Sequence, residues 1–562
     1  MRLSPGLASA VLVIIAVACG SSDDAAKPDP LATHDPDGGN SSSGGNGTSG
    51  ESSSGTTSGE PGNTDPSPIP YNEVTLKTVH NSYQRDEPLL DQMLYDNVRS
   101  IEVDIHKGKG ADAPAGKWWV YHIDAPTQDH SSCKFLDDCL ATLAAFHKAM
   151  PDHEVVTLYV DFKDDWITGH MPADFDKRLS DALGRENIAA PADFISACPG
   201  AANLRAAVTG TCKFPSLGSL RGKFIIAGTG GSGCDANSHV SKYGGAKPLD
   251  RLAFMSADLD GVCPLAEYDK HPDIVFLNMK LDDRGQAQAV RDKGLIGRIY
   301  TGGLNGGLDS QDDFNSAKTA GAQHLATDKV NVEQDPWSTT QAAKGFPFSC
   351  NGCDSLSEAS PLLAVSATSG DQWDTADSGF FAYQDDSGEA TWTAVIAVPS
   401  SHTEEFGKAC LIARASEDPG AANVAFCRPF DNQPPRLQIR LKDGDATTSE
   451  DAPPWVNFSD ETAFFVRLHL KPDGADTQVE AYVSKDGKDF GEPLSQRIFH
   501  GALPFRGVSV SSHSSGKKHA FFAGLTRNVP DLPPQSVTAS KLKKKPLGAG
   551  TTGDMRDGPI AP

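Results

Sequence analysis

The sequence predicts a TIM-barrel-like (β/α)8 domain followed by an all-β jelly-roll sandwich, and three observations predict it. Residues 71 to 345 alternate short apolar, β-branched runs with stretches of helical spacing. Polar residues gather where those runs end, which is where a barrel of parallel strands keeps its chemistry. After Cys353 the texture changes to short alternating runs separated by Gly, Pro and Asp, the pattern of a sandwich. At 562 residues the chain is too long for one core and should hold two folded domains.

The first 70 residues lie outside both. Arg2 supplies a positive start, Val11 to Val17 an apolar stretch, and Ala16-Val17-Ala18-Cys19 a small-residue cleavage site. This resembles a bacterial lipoprotein signal, in which Cys19 becomes the acylated first residue. Ala16 stands where Leu is commoner, so plain secretion is the alternative. The apolar run is too short to span a bilayer. Residues 20–70 are Gly, Ser, Asn, Thr, Asp and Pro, and are expected to form a disordered tether.

The expected barrel begins with the strand Val74 to Val79, which delivers His80-Asn81-Ser82-Tyr83. Val98 to Ile105 carries Glu102 and Asp104, and Trp118 to Ile123 carries His122. Phe135 to Met150 has apolar residues at helical spacing and leads into Val155 to Val160, then Asp161 and Lys163. Phe224 to Ala227, Ile274 to Leu277 and Ile296 to Tyr300 read as later strands, and Phe314 to Ala320 as a short helix before the His324 strand. No Gly-rich phosphate loop follows His80, which argues against an open doubly wound sheet. Gly228 to Gly233 lacks a following helical pattern and reads as a flexible loop rather than a nucleotide cradle.

A single strand-end His is more often structural than catalytic. Glu102 and Asp104 share a face because strand side chains alternate. Two buried like charges repel unless a cation pairs them. Oxygen ligands suit a hard cation such as Ca²⁺, and two separate imidazoles suit proton transfer. The conjunction, rather than any one residue, carries the weight.

His80-Asn81-Ser82-Tyr83, the Glu102-x-Asp104 pair after Val98-Arg99, and His122 together resemble the catalytic region of phosphoinositide-specific phospholipase C, in its secreted calcium-dependent bacterial branch. The resemblance covers roughly residues 71 to 330 and ends at Gly321 to Asp328. It implies His80 as general base, His122 as general acid, and Ca²⁺ on Asn81, Glu102 and Asp104. Asp161 stands where that family has a Glu as fourth ligand. Lys163, on the same face, is read either as a phosphate contact or as part of a barrel-lining salt bridge. The implied reaction cleaves phosphatidylinositol-type phospholipid at a membrane surface to diacylglycerol and inositol phosphate, cyclic or hydrolysed. Two alternatives stand beside it. One is another barrel phosphodiesterase, of glycerophosphodiesterase or sphingomyelin type, although those usually begin with His-Arg. The other is a non-catalytic surface-binding lipoprotein.

The formal net charge of −24 argues against nucleic acid and against simple adsorption to anionic membranes. Eleven cysteines less Cys19 leave an even number, and in an exported chain the simplest pairing is between neighbours: 133–139, 198–212, 234–263, 350–353 and 410–427. A lone C-x-x-C at Cys350 and Cys353 is weak support for zinc. Residues 354–528 resemble concanavalin- or laminin G-like modules, with Asp486-Gly487 as a hairpin turn. Glycan binding and a spacer role are both open there, because no aromatic platform is evident. Residues 529–562 are expected to form a disordered tail, and the chain to be an exported monomer, lipid-anchored or secreted.

Overall fold

The computed structural model describes residues 69–108, 116–122, 132–301, 306–332, 334–340, 348–349, 362–398, 405–431, 433–452, 465–514 and 516–558. Cys19, the 20–68 segment, Asp124, Cys350 and Cys353 lie outside the described residues.

The first domain is a closed α/β barrel. Its strands are β1 (Thr75–Val79), β2 (Ser100–His106), β4 (Val156–Phe162), β5 (Phe224–Thr229), β6 (Phe254–Leu259), β7 (Phe276–Lys280), β8 (Ile296–Tyr300) and β9 (His324–Thr327). All eight run parallel, and pairing of β1 with both β9 and β2 closes the ring. Two short strands pair antiparallel at its margins: β3 (Trp119–Val120) on β2, and β10 (Phe348–Ser349) on β1. The strands are almost wholly buried, as β-branched runs covered on both faces should be.

Two expectations change here. In the Trp118 to His122 stretch, Trp119 and Val120 pair antiparallel with β2 rather than forming a third barrel strand, so His122 follows an antiparallel excursion. The pairing covers only Trp119 and Val120, too short to cross a barrel; Ile123 lies outside the described residues. The strand Phe254–Leu259 was not foreseen, because Ser256 and Ala257 interrupt its apolar run.

The second domain is a sandwich of two antiparallel sheets. One runs Ser495–Phe499, Asp476–Ser484, Phe465–Asp473, Ala390–Ala397, Lys518–Asn528, Leu363–Ala367, Gly553–Asp557. The other runs Thr448–Asp451, Arg436–Arg440, Asn423–Pro429, Lys408–Arg414, Phe505–Ser511, Gly379–Asp385, Lys543–Leu547. The supposed tail is therefore part of the sandwich. Lys543, Lys544 and Lys545 make the segment look like solvated chain, yet they decorate an edge strand and pair with Asp385, Asp554 and Glu417. Leu547 and Met555 are buried beneath. Asp486-Gly487 sits in the loop between Ser484 and Ser495 rather than at a two-residue hairpin.

Four of the five neighbour disulfides are present: Cys133–Cys139, Cys198–Cys212, Cys234–Cys263 and Cys410–Cys427. Such bonds persist in oxidising compartments. Among the described residues, no helix is long and apolar enough to cross a membrane. The two domains share a continuous apolar core. Helices α1 (Leu89–Leu94) and α2 (Leu136–Ala149) of the barrel join Ala364, Val395, Phe465 and Phe521 of the sandwich in it.

Candidate active site

The C-terminal ends of the barrel strands enclose a cleft of about 190 Å³. It is lined by His80, Asn81, Glu102, Asp104, His122, Asp161 and Lys163, together with Thr229, Gly230, Gly231, Asp258, Asn278, Arg298, Tyr300 and Gly306. All seven barrel residues singled out in the sequence meet there.

The residue types of the first tetrad have local causes. Asn81 adopts a left-handed backbone (φ 46°), a conformation Asn tolerates better than most residues. Ser82 Oγ donates to the Val79 carbonyl at 3.0 Å and accepts the Glu102 N–H at 3.1 Å, pinning the turn between β1 and β2. Tyr83 is fully buried, and its hydroxyl donates to Asn81 Oδ1 at 3.3 Å.

His80 Nδ1 stands 2.9 Å from Asp328 Oδ1, which also pairs with Arg85 at 3.1 Å. Burial opposes a charge on His80, but the Glu102 and Asp328 carboxylates outweigh it and hold its pKa above the ordinary value. His122 is shifted the other way, by burial first and then by the charges of Lys163 and His80. The hairpin that presents it is fixed by His106, whose ring stacks on Tyr121 at 3.8 Å and whose Nε2 bonds the Tyr121 carbonyl at 3.1 Å.

Asp104 and Asp161 face each other in register on β2 and β4, with Thr229 next on β5. Lys163 Nζ bridges the two acids, 3.1 Å from Asp104 Oδ2 and 2.5 Å from Asp161 Oδ2. Lys163 thus makes the barrel-lining salt bridge, and it also lines the cleft where a phosphate contact would be made. Asp104 is 1 % exposed, and its Oδ2 accepts no aligned hydrogen bond among the described residues. Burial, with Asp161 and Glu102 beside it, lifts its pKa to about 7 against the pull of Lys163.

Across the cleft runs a chain that the sequence did not announce. Asp258 accepts from Asn278 Nδ2 at 3.0 Å, Asn278 Oδ1 accepts from Arg298 at 2.8 Å, and Arg298 closes on Glu102. Arg298 is 2 % exposed, and its guanidinium lies over the rings of Tyr159 and Tyr300, 4.8 and 5.5 Å from their centroids. An Arg inside the run Ile296 to Tyr300, and an Asn directly after Ile274 to Leu277, were the available signals. Asp258 had none, because its strand was not recognised.

The donor set suits a hard divalent cation in type and in charge. Four carboxylates (Glu102, Asp104, Asp161, Asp258) outnumber the two fixed cations that face them (Lys163, Arg298). The pKa of Asp258 is also lifted, to about 6, chiefly by burial, as expected of an acid short of counter-charge. Among the described residues, no three His, Cys, Asp or Glu side chains are gathered closely enough to hold a metal as they stand. Lys163 occupies the space between two of the donors, so it must withdraw for a cation to take both.

No protein-family model matches the chain, and no curated protein matches it. Among solved structures it is similar to a calcium-dependent phosphoinositol-specific phospholipase C from a Gram-negative bacterium, Pseudomonas sp. That match has 20 % identity over 51 % of this chain and 96 % of that one, with a TM-score of 0.42. It is also similar to a Ca²⁺-dependent phosphatidylinositol-specific phospholipase C from Streptomyces antibioticus, at 18 % identity over 47 % and 96 %, TM-score 0.38. A third similarity is to the family 7 alginate lyase A1-II′, at 11 % identity over 27 % and 65 %, TM-score 0.18.

Proposed function

We propose that the barrel is a phosphodiesterase that cleaves phosphatidylinositol-type lipids by general acid and base catalysis. The observation that carries this reading is the meeting of His80, His122 and the Asn81, Glu102, Asp104 set in one polar cleft. His80, oriented by Asp328, takes the proton of the inositol 2-hydroxyl as that oxygen attacks phosphorus. His122 gives a proton to the diacylglycerol oxygen as its bond to phosphorus breaks. A cyclic inositol phosphate forms, and the reverse proton transfers would let water open it. The raised pKa of His80 and the lowered pKa of His122 make the reacting pair of protonation states a minor one in the free enzyme. Bound to Asn81, Glu102, Asp104 and Asp161, Ca²⁺ would neutralise Glu102, one of the two carboxylates that raise His80, and the charge that develops on the phosphoryl oxygens. Asp258, Asn278, Arg298 and Thr229 offer donors and acceptors to the ring hydroxyls on the far side.

The lipid surface would meet the same end of the barrel. Ile167, Met171 and Val262 are exposed there, on the loops that follow β4 and β6. Lipid on Cys19 would anchor the chain at the surface of an exported location. In the sandwich, a cleft of about 730 Å³ carries exposed Trp373 and Phe406 beside Asp371, Arg436 and Gln438. Aromatic faces next to polar forks suit a glycan, and this would be its seat. Incubating the protein on a panel of phospholipids and glycosylated phosphatidylinositols, with and without EGTA, tests the enzymatic reading. Turnover of glycerophosphodiesters alone would move the assignment to the other barrel phosphodiesterases.

A further inference from the structure

Among the described residues, a buried ion pair bonds the sandwich to the barrel. Arg428, on the sandwich strand Asn423–Pro429, donates to both carboxylate oxygens of Asp91 on α1, at 2.8 and 2.5 Å. The side chains are 6 % and 2 % exposed. Arg428 also donates to the Ile396 carbonyl at 3.0 Å, which fixes it to the neighbouring sheet. Four residues beyond Asp91, Tyr95 stacks on His519 of the sandwich with ring centroids 5.2 Å apart.

Helix α1 cannot hold itself. It has six residues, all of them buried, and a helix that short is unstable without tertiary contacts. What α1 does is hold the turn before it. Gln92, next to Asp91 and fully buried, donates through Nε2 to the carbonyls of Ser82 at 2.8 Å and Glu87 at 2.9 Å. Ser82 in turn bonds the backbone of Val79, directly before His80 and Asn81, and that of Glu102 on β2. A continuous run of bonds therefore leads from the guanidinium of one domain to the turn that bears two proposed functional residues of the other.

We propose that Arg428 is a positioning residue for the 80–82 turn, so that the sandwich is a working part of the barrel's site rather than an appended spacer. For its effect on turnover this rests on the phosphodiesterase reading; for its effect on the turn itself it does not. Removing Arg428 alone leaves the buried Asp91 carboxylate unpaired and endangers folding. The test therefore uses the full chain carrying Asp91→Asn with Arg428→Met, in which neither charge remains, and Arg428→Lys as the conservative variant.

Two measurements are made on each. Hydrogen exchange should show the amides of residues 80–87 exchanging at least about tenfold faster in the double variant, with β5 to β8 unchanged. Turnover on phosphatidylinositol vesicles should fall at least about tenfold with little change in KM, and Arg428→Lys should recover part of both. If the double variant does not fold, Arg428→Lys carries the same two measurements. Folded variants with wild-type exchange at 80–87 overturn the proposal, whether or not turnover falls, because any effect would then bypass the turn. If the wild type cleaves no phosphodiester, the functional reading fails and exchange alone decides.

Discussion

His80 Nδ1 and Asp328 Oδ1 lie 2.9 Å apart, so the residue after the first barrel strand is held by the residue after the last. The backbone repeats the link, with the His80 N–H donating to the Thr327 carbonyl at 2.9 Å. Fixing Nδ1 this way leaves the other ring nitrogen for the substrate's proton. Asp328→Ala should lower turnover by about 10- to 10²-fold. His80→Ala and His122→Ala should each lower it by about 10²–10⁴-fold. Steady-state kinetics check this beside thermal unfolding, which should move little. An Asp328→Ala enzyme at wild-type rate would remove the orienting role.

Lys163 competes with any cation for Asp104 and Asp161. Lys163→Met should therefore raise Ca²⁺ affinity, by about tenfold if the competition is worth about 1.4 kcal/mol. It should also lower stability in EGTA and regain it with Ca²⁺. Calorimetric titration and melting curves with and without Ca²⁺ read both effects. Weaker Ca²⁺ binding in the variant would mean that Lys163 supports the cation site instead.

Two buried histidines set an acid limit on stability. Burial, reinforced for His324 by Arg298, lowers its pKa to about 3; burial likewise takes His153 to about 3 against its bond to the Glu154 carbonyl. Unfolded, each has a pKa of about 6.5. Between those values the unfolded chain binds a proton that the folded chain does not. Stability is therefore intact above about pH 6.5 and falls as pH drops towards 3, by about 1.4 kcal/mol per pH unit for each group. His153→Gln should flatten the stability profile by that slope between about pH 4 and 6. Denaturant unfolding across this range checks it, and a variant curve parallel to wild type would contradict it.

The Cys234–Cys263 bond joins the loop after β5 to the loop after β6 across 29 residues. Replacing both by Ser should cost on the order of 3–4 kcal/mol, the loop-closure value for that span. Equilibrium unfolding measures it. No loss would mean that Ser232 to Asp260 is held by packing alone.

The residues that advertise themselves are those with no structural excuse for their place. Glu102 and Asp104 interrupt an apolar strand, and the tetrad His80 to Tyr83 ends one, so both were legible. Asp328 closed a recognised strand, but its partnership with His80 depends on β9 pairing with β1, a contact across 248 residues that no local pattern encodes. Arg298 was visible as a charge in a buried run, while its span to Glu102 exists only once the barrel closes. Asp258 was lost with its strand. In the sandwich, lysines on an exposed edge hid the strand Lys543–Leu547, because composition reports solvent exposure and not pairing. Trp373 and Phe406 stand more than thirty residues apart in sequence and flank one cleft only through the sheet.

The most direct measurement presents phosphatidylinositol vesicles to the purified chain in Ca²⁺ and in EGTA, beside the His80→Ala variant, and follows water-soluble inositol phosphate and diacylglycerol. A Ca²⁺-dependent phosphodiesterase worked by His80 should release both products in Ca²⁺, lose that release in EGTA, and show almost none in the variant. Equal release by wild type and His80→Ala, or no release under any condition, would contradict it.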